Sequence, residues 1–247
     1  MSVKFSLQSK KIGDIPILEV VAKHLKTQPL PTIIFYHGWQ MSKRLVLTQG
    51  RRLAAKGFRV VLPDSKHHGE RYQPVSPIPS LTFWQTVQAN LFEFEWIVRY
   101  YKDHQLILND RLGIGGISMG GMTTTALLTH YDDIQVAACV MGTPDLIAYQ
   151  HYLYQGILQH GRFISKYYND LLAWIPYYNL ASQPEKLGER PLFIWHGRQD
   201  RRVPFAPVEQ FVKDNPQLDI TFSPADAPHF VDIPVMDDVA DFFEHHL

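Results

Sequence analysis

The sequence predicts an α/β fold with a mostly parallel central sheet and helices on both faces. Short runs of β-branched and aromatic residues, such as residues 32–36, are typical of buried parallel strands. Longer segments whose apolar residues recur with helical spacing separate those runs along the chain. No internal repeat, low-complexity tract or linker divides the 247 residues. We therefore expect one domain over residues 1–247.

The predicted elements alternate along the chain. Strands are predicted over residues 3–8, 15–22, 32–36, 58–63, 112–117, 136–141, 191–195 and 218–222. Helices are predicted over residues 42–56, 84–101, 122–128, 205–214 and 234–246. Gly13 and Asp14 predict the turn between the first two strands, and Pro29 and Pro31 predict a break before the third.

Two of the helices carry specific signals. Ser42 is a candidate N-cap for the first helix, and Gly57 suits the left-handed position after its last turn. The second helix follows a segment that Pro74, Pro77 and Pro79 predict to be irregular. Its apolar residues recur at spacings of 3, 4, 3, 4 and 3 and predict a stripe that faces the core: Trp84, Val87, Leu91, Phe94, Val98 and Tyr101.

Charge and cysteine content exclude several classes of protein. The 24 basic and 24 acidic residues give a formal net charge of +0, and no basic stripe indicates nucleic-acid binding. Cys139 is the only cysteine, and we expect it to pack inside a strand rather than react. Neighbouring His67 and His68 have no carboxylate or cysteine partner at ligand spacing, so no metal is expected. No membrane span or signal peptide is expected, which predicts a cytoplasmic protein.

A candidate nucleophile lies in the pentapeptide Gly116–Gly120, which has the pattern Gly-x-Ser-x-Gly around Ser118. In a nucleophile elbow, a strand turns sharply into a helix and presents the serine at the turn. Glycines flank such a serine because strand and helix approach each other closely there. An apolar run before the pattern and a helix-compatible segment after it favour an elbow. The alternative is a glycine-rich turn with an incidental serine.

A serine hydroxyl needs a base to accept its proton and a third group to orient that base. Downstream of Ser118, Asp200 follows one predicted strand, and His229 lies between the last strand and the last helix. Open parallel sheets place their sites at the carboxyl ends of strands, so the three side chains are expected to meet. Three other acids near that edge stay open as alternatives for orienting the base: Asp64, Asp145 and Asp226. Asp226 is a local candidate because it precedes His229 by three residues.

The set of motifs resembles the α/β hydrolases, and within them the small bacterial carboxylesterases of the dienelactone-hydrolase and prolyl-oligopeptidase-like branch. The matching motifs appear in the family's order: His37-Gly38-Trp39, Pro63-Asp64 with His68-Gly69-Glu70-Arg71, Gly116–Gly120, His196–Pro204 and His229. The resemblance implies an α/β-hydrolase fold and a cofactor-free serine hydrolase that acts on ester bonds. Ser118, Asp200 and His229 take the positions of the family's catalytic triad.

The resemblance also indicates how an oxyanion would be bound. One donor is the backbone N–H of Met119, the residue after the serine. By resemblance, the other is the backbone N–H of Trp39, after the strand over residues 32–36. His37 and His196 each precede a glycine at a strand end, and we expect them to shape turns.

Residues 144–189 interrupt the alternation of strands and helices. Nine aromatic residues are concentrated there: Tyr149, Tyr152, Tyr154, Phe163, Tyr167, Tyr168, Trp174, Tyr177 and Tyr178. Hydrolases of this fold commonly insert a lid at this position, so the resemblance implies a small helical cap. The alternative is that the aromatic rings only pack against the main domain.

The sequence therefore predicts a serine carboxylesterase whose partner is a small or medium, uncharged ester. Two alternatives stay open. One is a peptidase or amidase of the same fold, and the other is a hydrolase-fold binding protein without catalysis.

Overall fold

The computed structural model describes residues 3–74 and 79–247. Its strands are β1 (Phe5–Ile12), β2 (Ile15–Ala22), β3 (Leu30–Tyr36), β4 (Arg59–Pro63), β5 (Ile107–Ile117), β6 (Val136–Val140), β7 (Leu192–Gly197) and β8 (Ile220–Ala225). Its α-helices are α1 (Leu47–Ala55), α2 (Leu81–Asp103), α3 (Met119–Leu127), α4 (Leu146–Gln159), α5 (Tyr168–Leu171), α6 (Phe205–Asp214) and α7 (Ile233–His246). Residues 1–2 and Pro77, which belongs to the segment predicted to be irregular, lie outside the described residues.

In the described chain the strands form one sheet in the order β1-β2-β4-β3-β5-β6-β7-β8. The pairs β1–β2 and β2–β4 are antiparallel, and the pairings from β4 to β8 are parallel. The interior strand β6 is buried along its whole length, as expected for a parallel strand covered on both faces. The predicted, mostly parallel sheet is confirmed.

Helices cover both faces of this sheet. Successive residues of a strand point to opposite faces, and Phe35 and Tyr36 accordingly belong to different buried clusters. The cluster around Phe35 includes residues of α1 and α7, whereas the cluster around Tyr36 includes residues of α2, α3 and α6. All six residues of the apolar stripe predicted on α2 are buried in the second cluster.

The predicted start of the first helix is wrong. Helix α1 begins at Leu47, and Ser42 does not cap it. The N–H of Lys43 donates to the Asp64 carboxylate (2.8 Å), and its ammonium group pairs with the same carboxylate. These bonds hold the chain in turns before the helix begins. The predicted helix end is confirmed, since Gly57 follows the last turn with a φ of +96°.

Several predicted strand limits also differ from the structure, and β5 in particular begins at Ile107 instead of residue 112. Strand β3 includes Pro31, and its pairing with β5 shifts register between Leu30 and Thr32. That irregularity accommodates a residue without a backbone N–H. Strand β1 continues to Ile12. Strand β8 begins only at Ile220, because the N–H of Leu218 still donates to the carbonyl of Asn215 in the turn after α6.

Residues 144–189 contain helices α4 and α5 and three short 3-10 segments: Ile175–Tyr178, Leu180–Ser182 and Pro184–Leu187.

Within the described chain, no helix is both long and apolar enough to span a membrane. Cys139 lies fully buried in β6, and burial raises the pKa of its thiol to about 12. The thiol therefore stays protonated and serves as a packing group, as predicted.

Candidate active site

The carboxyl ends of the parallel strands bring the predicted site residues to one edge of the sheet. Trp39 follows β3, Ser118 follows β5, Asp200 follows β7 and His229 follows β8. Ligands of open parallel sheets bind at this edge. The site is therefore assembled from loops whose positions the sheet fixes.

Ser118 stands at a sharp turn between β5 and α3. Its φ of +56° lies in the left-handed region that favours glycine. A methyl group on Gly116 would lie 2.4 Å from the carbonyl carbon of Gly120, and one on Gly120 would lie 2.3 Å from the carbonyl oxygen of Tyr36. The N–H of Ser118 donates to the carbonyl of Val140 (2.8 Å) in the neighbouring strand. The geometry is that of a nucleophile elbow.

A chain of hydrogen bonds runs from Ser118 through His229 to Asp200. The Nε2 atom of His229 lies 3.0 Å from the Oγ of Ser118, and its Nδ1 lies 2.6 Å from the Oδ2 of Asp200. An ionised carboxylate only accepts hydrogen bonds, so Nδ1 carries the proton and the lone pair of Nε2 faces the serine. The imidazole is thus oriented to accept a proton from the hydroxyl.

Asp200 is buried and well supplied with donors. Its Oδ1 accepts from the N–H groups of Arg202 (2.8 Å) and Val203 (2.9 Å). Burial alone would raise the pKa of this carboxyl, but hydrogen bonds from His196, His229 and Val203 outweigh it and hold the pKa well below the usual range. Asp200 therefore stays ionised at neutral pH.

The alternative acids have other partners. Asp226 accepts from the side chain of Gln199 (2.6 Å), although it lies close to His229 in sequence. Asp145 caps α4 by accepting from the N–H of Ala148 (2.9 Å), and Asp64 binds Lys43. Among the described residues, none of these three carboxylates is a hydrogen-bond partner of His229.

The two N–H groups predicted to bind an oxyanion lie on either side of this site. Met119 is the first residue of α3, where backbone N–H groups have no partner within the helix. Trp39 belongs to the loop after β3, and a methyl group on the adjacent Gly38 would lie 3.4 Å from the Cβ of Ser118. Neither N–H has a hydrogen-bond acceptor in residues 3–74 or 79–247. Both are free to donate to a ligand.

Ser118 and His229 open onto a cavity of about 840 Å³. Apolar and aromatic side chains supply much of its wall: Trp39, Met41, Phe83, Ile117, Met141, Tyr149, Tyr152, Leu153, Phe230 and Val231. Residues of α4 therefore form part of the wall above the serine. Such a mainly apolar cavity with a few polar groups is typical of small-molecule sites.

Two buried histidines beside the site have roles that the sequence predicted only in outline. His37 donates from Nδ1 to the carbonyl of Gly38 (2.8 Å) and accepts at Nε2 from the N–H of Ser65 (3.1 Å). Burial lowers the pKa of His37 to about 4, so its ring is neutral. His196 donates to the carbonyl of Val203 (2.9 Å) and lies 3.3 Å from the Asp200 carboxylate. Both shape turns, and His196 also supports Asp200.

The sequence analysis missed a buried ion pair under the loop after β3. The ammonium group of Lys43 pairs with Asp64 and with Glu70 (2.6 Å). A methyl group on Gly69 would collide with the Asp64 carboxylate at 2.0 Å. The sequence does contain one signal for this ion pair. Polar residues that follow the adjacent strands β3 and β4 are brought together at the same edge of the sheet. No group of three or more metal-ligating side chains occurs in the part of the chain that the structure describes.

Comparison with known proteins assigns the family. The profile of the prolyl oligopeptidase family matches residues 85–223, more than half of the 247 residues. The chain belongs to the prolyl oligopeptidase family. This family member is 34% identical over 210 residues to YitV of Bacillus subtilis (strain 168), whose name provisionally calls it an esterase. The match covers 83% of this chain and 82% of that protein.

A second relative is named an esterase, and two solved structures share the fold. Esterase YjfP of Escherichia coli (strain K12) is 29% identical over 198 residues, which cover 80% of each chain. TT1662 from Thermus thermophilus superposes with a TM-score of 0.76 at 20% identity, over 98% of each chain. The Pyrococcus furiosus esterase Pf2001 gives a TM-score of 0.68 at 18% identity, over 99% of this chain and 91% of that one. The α/β-hydrolase fold is confirmed, and family membership identifies the chain as a serine hydrolase.

Proposed function

We propose that this family member is a serine carboxylesterase that hydrolyses small to medium esters through an acyl-enzyme on Ser118. The hydrogen-bonded chain Ser118–His229–Asp200 is the observation that carries the proposal. The named esterases among its relatives favour esters over peptide amides. The substrate partner is accordingly a small carboxylic ester.

In the proposed mechanism, Nε2 of His229 takes the hydroxyl proton of Ser118 while Oγ attacks the ester carbonyl carbon. Asp200 holds the imidazole in position and stabilises its protonated form. The N–H groups of Met119 and Trp39 receive the negative oxygen of the tetrahedral intermediate. The alkoxide leaves with the proton from His229, and a water molecule activated by the same imidazole releases the acid.

We further propose that residues 144–189 act as a cap. In support, α4 contributes Tyr149, Tyr152 and Leu153 to the wall of the cavity that contains Ser118. Other aromatic residues of the segment pack against the main core, among them Tyr168 and Trp174. The cap function is thus assigned to α4, while much of the remaining segment anchors it.

The proposal is tested with a panel of p-nitrophenyl esters from acetyl to octanoyl and a parallel panel of peptide p-nitroanilides. The expected result is turnover of short and medium esters with kcat/KM at least about a hundredfold above that of any anilide. Anilide turnover that matched or exceeded ester turnover would instead support the peptidase alternative. Turnover of neither panel would contradict the proposed ester hydrolysis and favour the binding-protein alternative.

A further inference from the structure

The loop that carries Trp39 is held by a residue outside the Ser118–His229–Asp200 chain. Gln40, directly after Trp39, has a φ of +61°, which is strained for a residue other than glycine. Its N–H donates to Nε2 of His68 over 3.0 Å. A strained residue persists only where its surroundings hold it. The N–H of Met41 closes the turn by donating to the carbonyl of Gly38 (3.1 Å), and the bond to His68 is the side-chain anchor of the peptide group between Trp39 and Gln40.

The bonds of His68 require one protonation state. Its Nδ1 lies 2.8 Å from the carbonyl oxygen of Lys66. A carbonyl only accepts, so Nδ1 carries the proton, and a backbone N–H only donates, so Nε2 must offer a lone pair to Gln40. The side chain is therefore neutral, with its tautomer fixed by two backbone groups. Its ring also packs edge-on against the indole of Trp39 at a centroid distance of 4.9 Å.

Burial lowers the pKa of His68, and the groups around the ring act on that pKa in both directions. The ring of His37 lies 5.3 Å away, and His67 precedes it in the chain. The hydrogen bond to the Lys66 carbonyl and the Asp64 carboxylate raise this pKa, whereas His67 lowers it. The Asp64 carboxylate is itself paired with the Lys43 ammonium group. Burial is the largest influence and lowers the pKa of His68. The His68 residue is only 2% exposed.

We propose that His68 is a positioning residue for ester hydrolysis, and that its neutral imidazole fixes the Trp39–Gln40 turn so that the Trp39 N–H faces the oxyanion. This inference rests on the proposed esterase function. A proton on Nε2 removes the acceptor and sets two N–H groups against each other. The oxyanion donor is then released from its position while Ser118 and His229 keep theirs.

Two substitutions separate this role from simple packing. His68→Leu fills the space but cannot accept from Gln40. His68→Gln offers an amide oxygen as acceptor and cannot titrate. At pH 8, the leucine variant should lose about a hundredfold in kcat with KM within threefold, since one oxyanion donor is typically worth ~10²–10³ in rate. The glutamine variant should stay within about tenfold of wild type.

The matched control is His67→Asn. His67 is adjacent in sequence, bonds the side chain of Gln73 (2.8 Å) and has a φ of +66°, a conformation that asparagine tolerates. It makes no hydrogen bond to the loop that carries Trp39 among the described residues. Its kcat at pH 8 should equal that of wild type. Circular dichroism and thermal midpoints establish that each variant is folded.

The pH profile supplies a readout that a packing role would not change. The acid side of log kcat/KM should be steeper in wild type than in His68→Gln by up to one proton, the proton that His68 binds. A leucine variant with wild-type kcat, or equal slopes in wild type and His68→Gln, would overturn the inference. If His68→Leu does not fold, the comparison of the slopes of wild type and His68→Gln tests the inference by itself. An inactive wild type would instead contradict the proposed function, and the inference would fall with it.

Discussion

The Nδ1 of His229 lies 2.6 Å from Oδ2 of Asp200, whereas Asp226, three residues before His229, bonds Gln199. Asp200→Asn should therefore lower kcat by ~10³–10⁴, because the amide no longer favours the required imidazole tautomer. Asp226→Asn is the matched control and should change kcat less than about threefold. Steady-state kinetics of both purified variants make the comparison, and reversed results would assign the orienting role to Asp226.

The elbow glycines give a prediction about folding. Gly120→Ala places a methyl group 2.3 Å from the carbonyl oxygen of Tyr36. Backbone cannot yield cheaply there, so the variant should lose ~3 kcal/mol or more of unfolding free energy. In Gly156→Ala, on α4, the added methyl meets nothing within 4 Å. That variant should gain ~0.5–1 kcal/mol because alanine favours a helix interior. Urea titrations of both variants test the contrast, and equal losses would refute the proposed close approach.

The cap gives a prediction about substrate size. Tyr152 lines the cavity that contains Ser118 and donates its hydroxyl proton to the carbonyl of Arg201 (2.7 Å). Tyr152→Ala should enlarge the cavity and raise the ratio of kcat/KM for octanoyl over acetyl esters by about tenfold, with acetyl turnover largely spared. Tyr177→Ala is the control, since Tyr177 is 70% exposed and is not part of the cavity wall. A uniform loss on all chain lengths would indicate that Tyr152 only packs.

Buried histidine gives a prediction about acid stability. The pKa of His37 is about 4 in the folded protein, against 6.5 for an unperturbed histidine. Between pH 6.5 and 4 the unfolded chain binds a proton that the folded chain does not, so stability falls as pH falls through this window. The loss from His37 is on the order of 3 kcal/mol. His68 adds a loss of the same sign.

Urea unfolding of wild type, His37→Gln and the exposed-site control His104→Gln from pH 7 to pH 4 measures this effect. His37→Gln is expected to be less stable than wild type at pH 7, because two hydrogen bonds are lost, but to lose less stability on acidification. The control should follow wild type. If the unfolding free energies of wild type and His37→Gln fell equally with pH, His37 would not be the source of the acid sensitivity. The depressed pKa of Asp200 adds a loss of the same sign that begins at about pH 5 and is largest below pH 4, and it affects wild type and His37→Gln alike.

Much of the architecture was predictable because the strands and α2 have strong local patterns. The alternation of apolar runs and amphipathic segments predicted the parallel sheet, and the spacing of Trp84 to Tyr101 predicted the buried face of α2. The positions of Ser118, Asp200 and His229 after three parallel strands predicted that they meet, as the structure shows geometrically. Their catalytic roles and the cytoplasmic location stay predictions.

What escaped sequence reasoning depends on contacts between distant segments. Ser42 has the right residue type for an N-cap, but the bonds of Lys43 to Asp64 delay α1 until Leu47. No local pattern shows that His68 reaches the N–H of Gln40 from the end of the next strand. Pairing across the sheet creates these contacts, so composition and periodicity carry little information about them.

The central claim is that Ser118 forms the acyl-enzyme. Treatment with a fluorophosphonate, followed by intact-mass measurement and peptide mapping, tests it most directly. One adduct on Ser118 is predicted, together with complete loss of ester turnover. Ser118→Ala should fold normally, take up no label and lose at least about a thousandfold in ester turnover. An adduct on another residue, or near-wild-type hydrolysis by Ser118→Ala, would contradict the account.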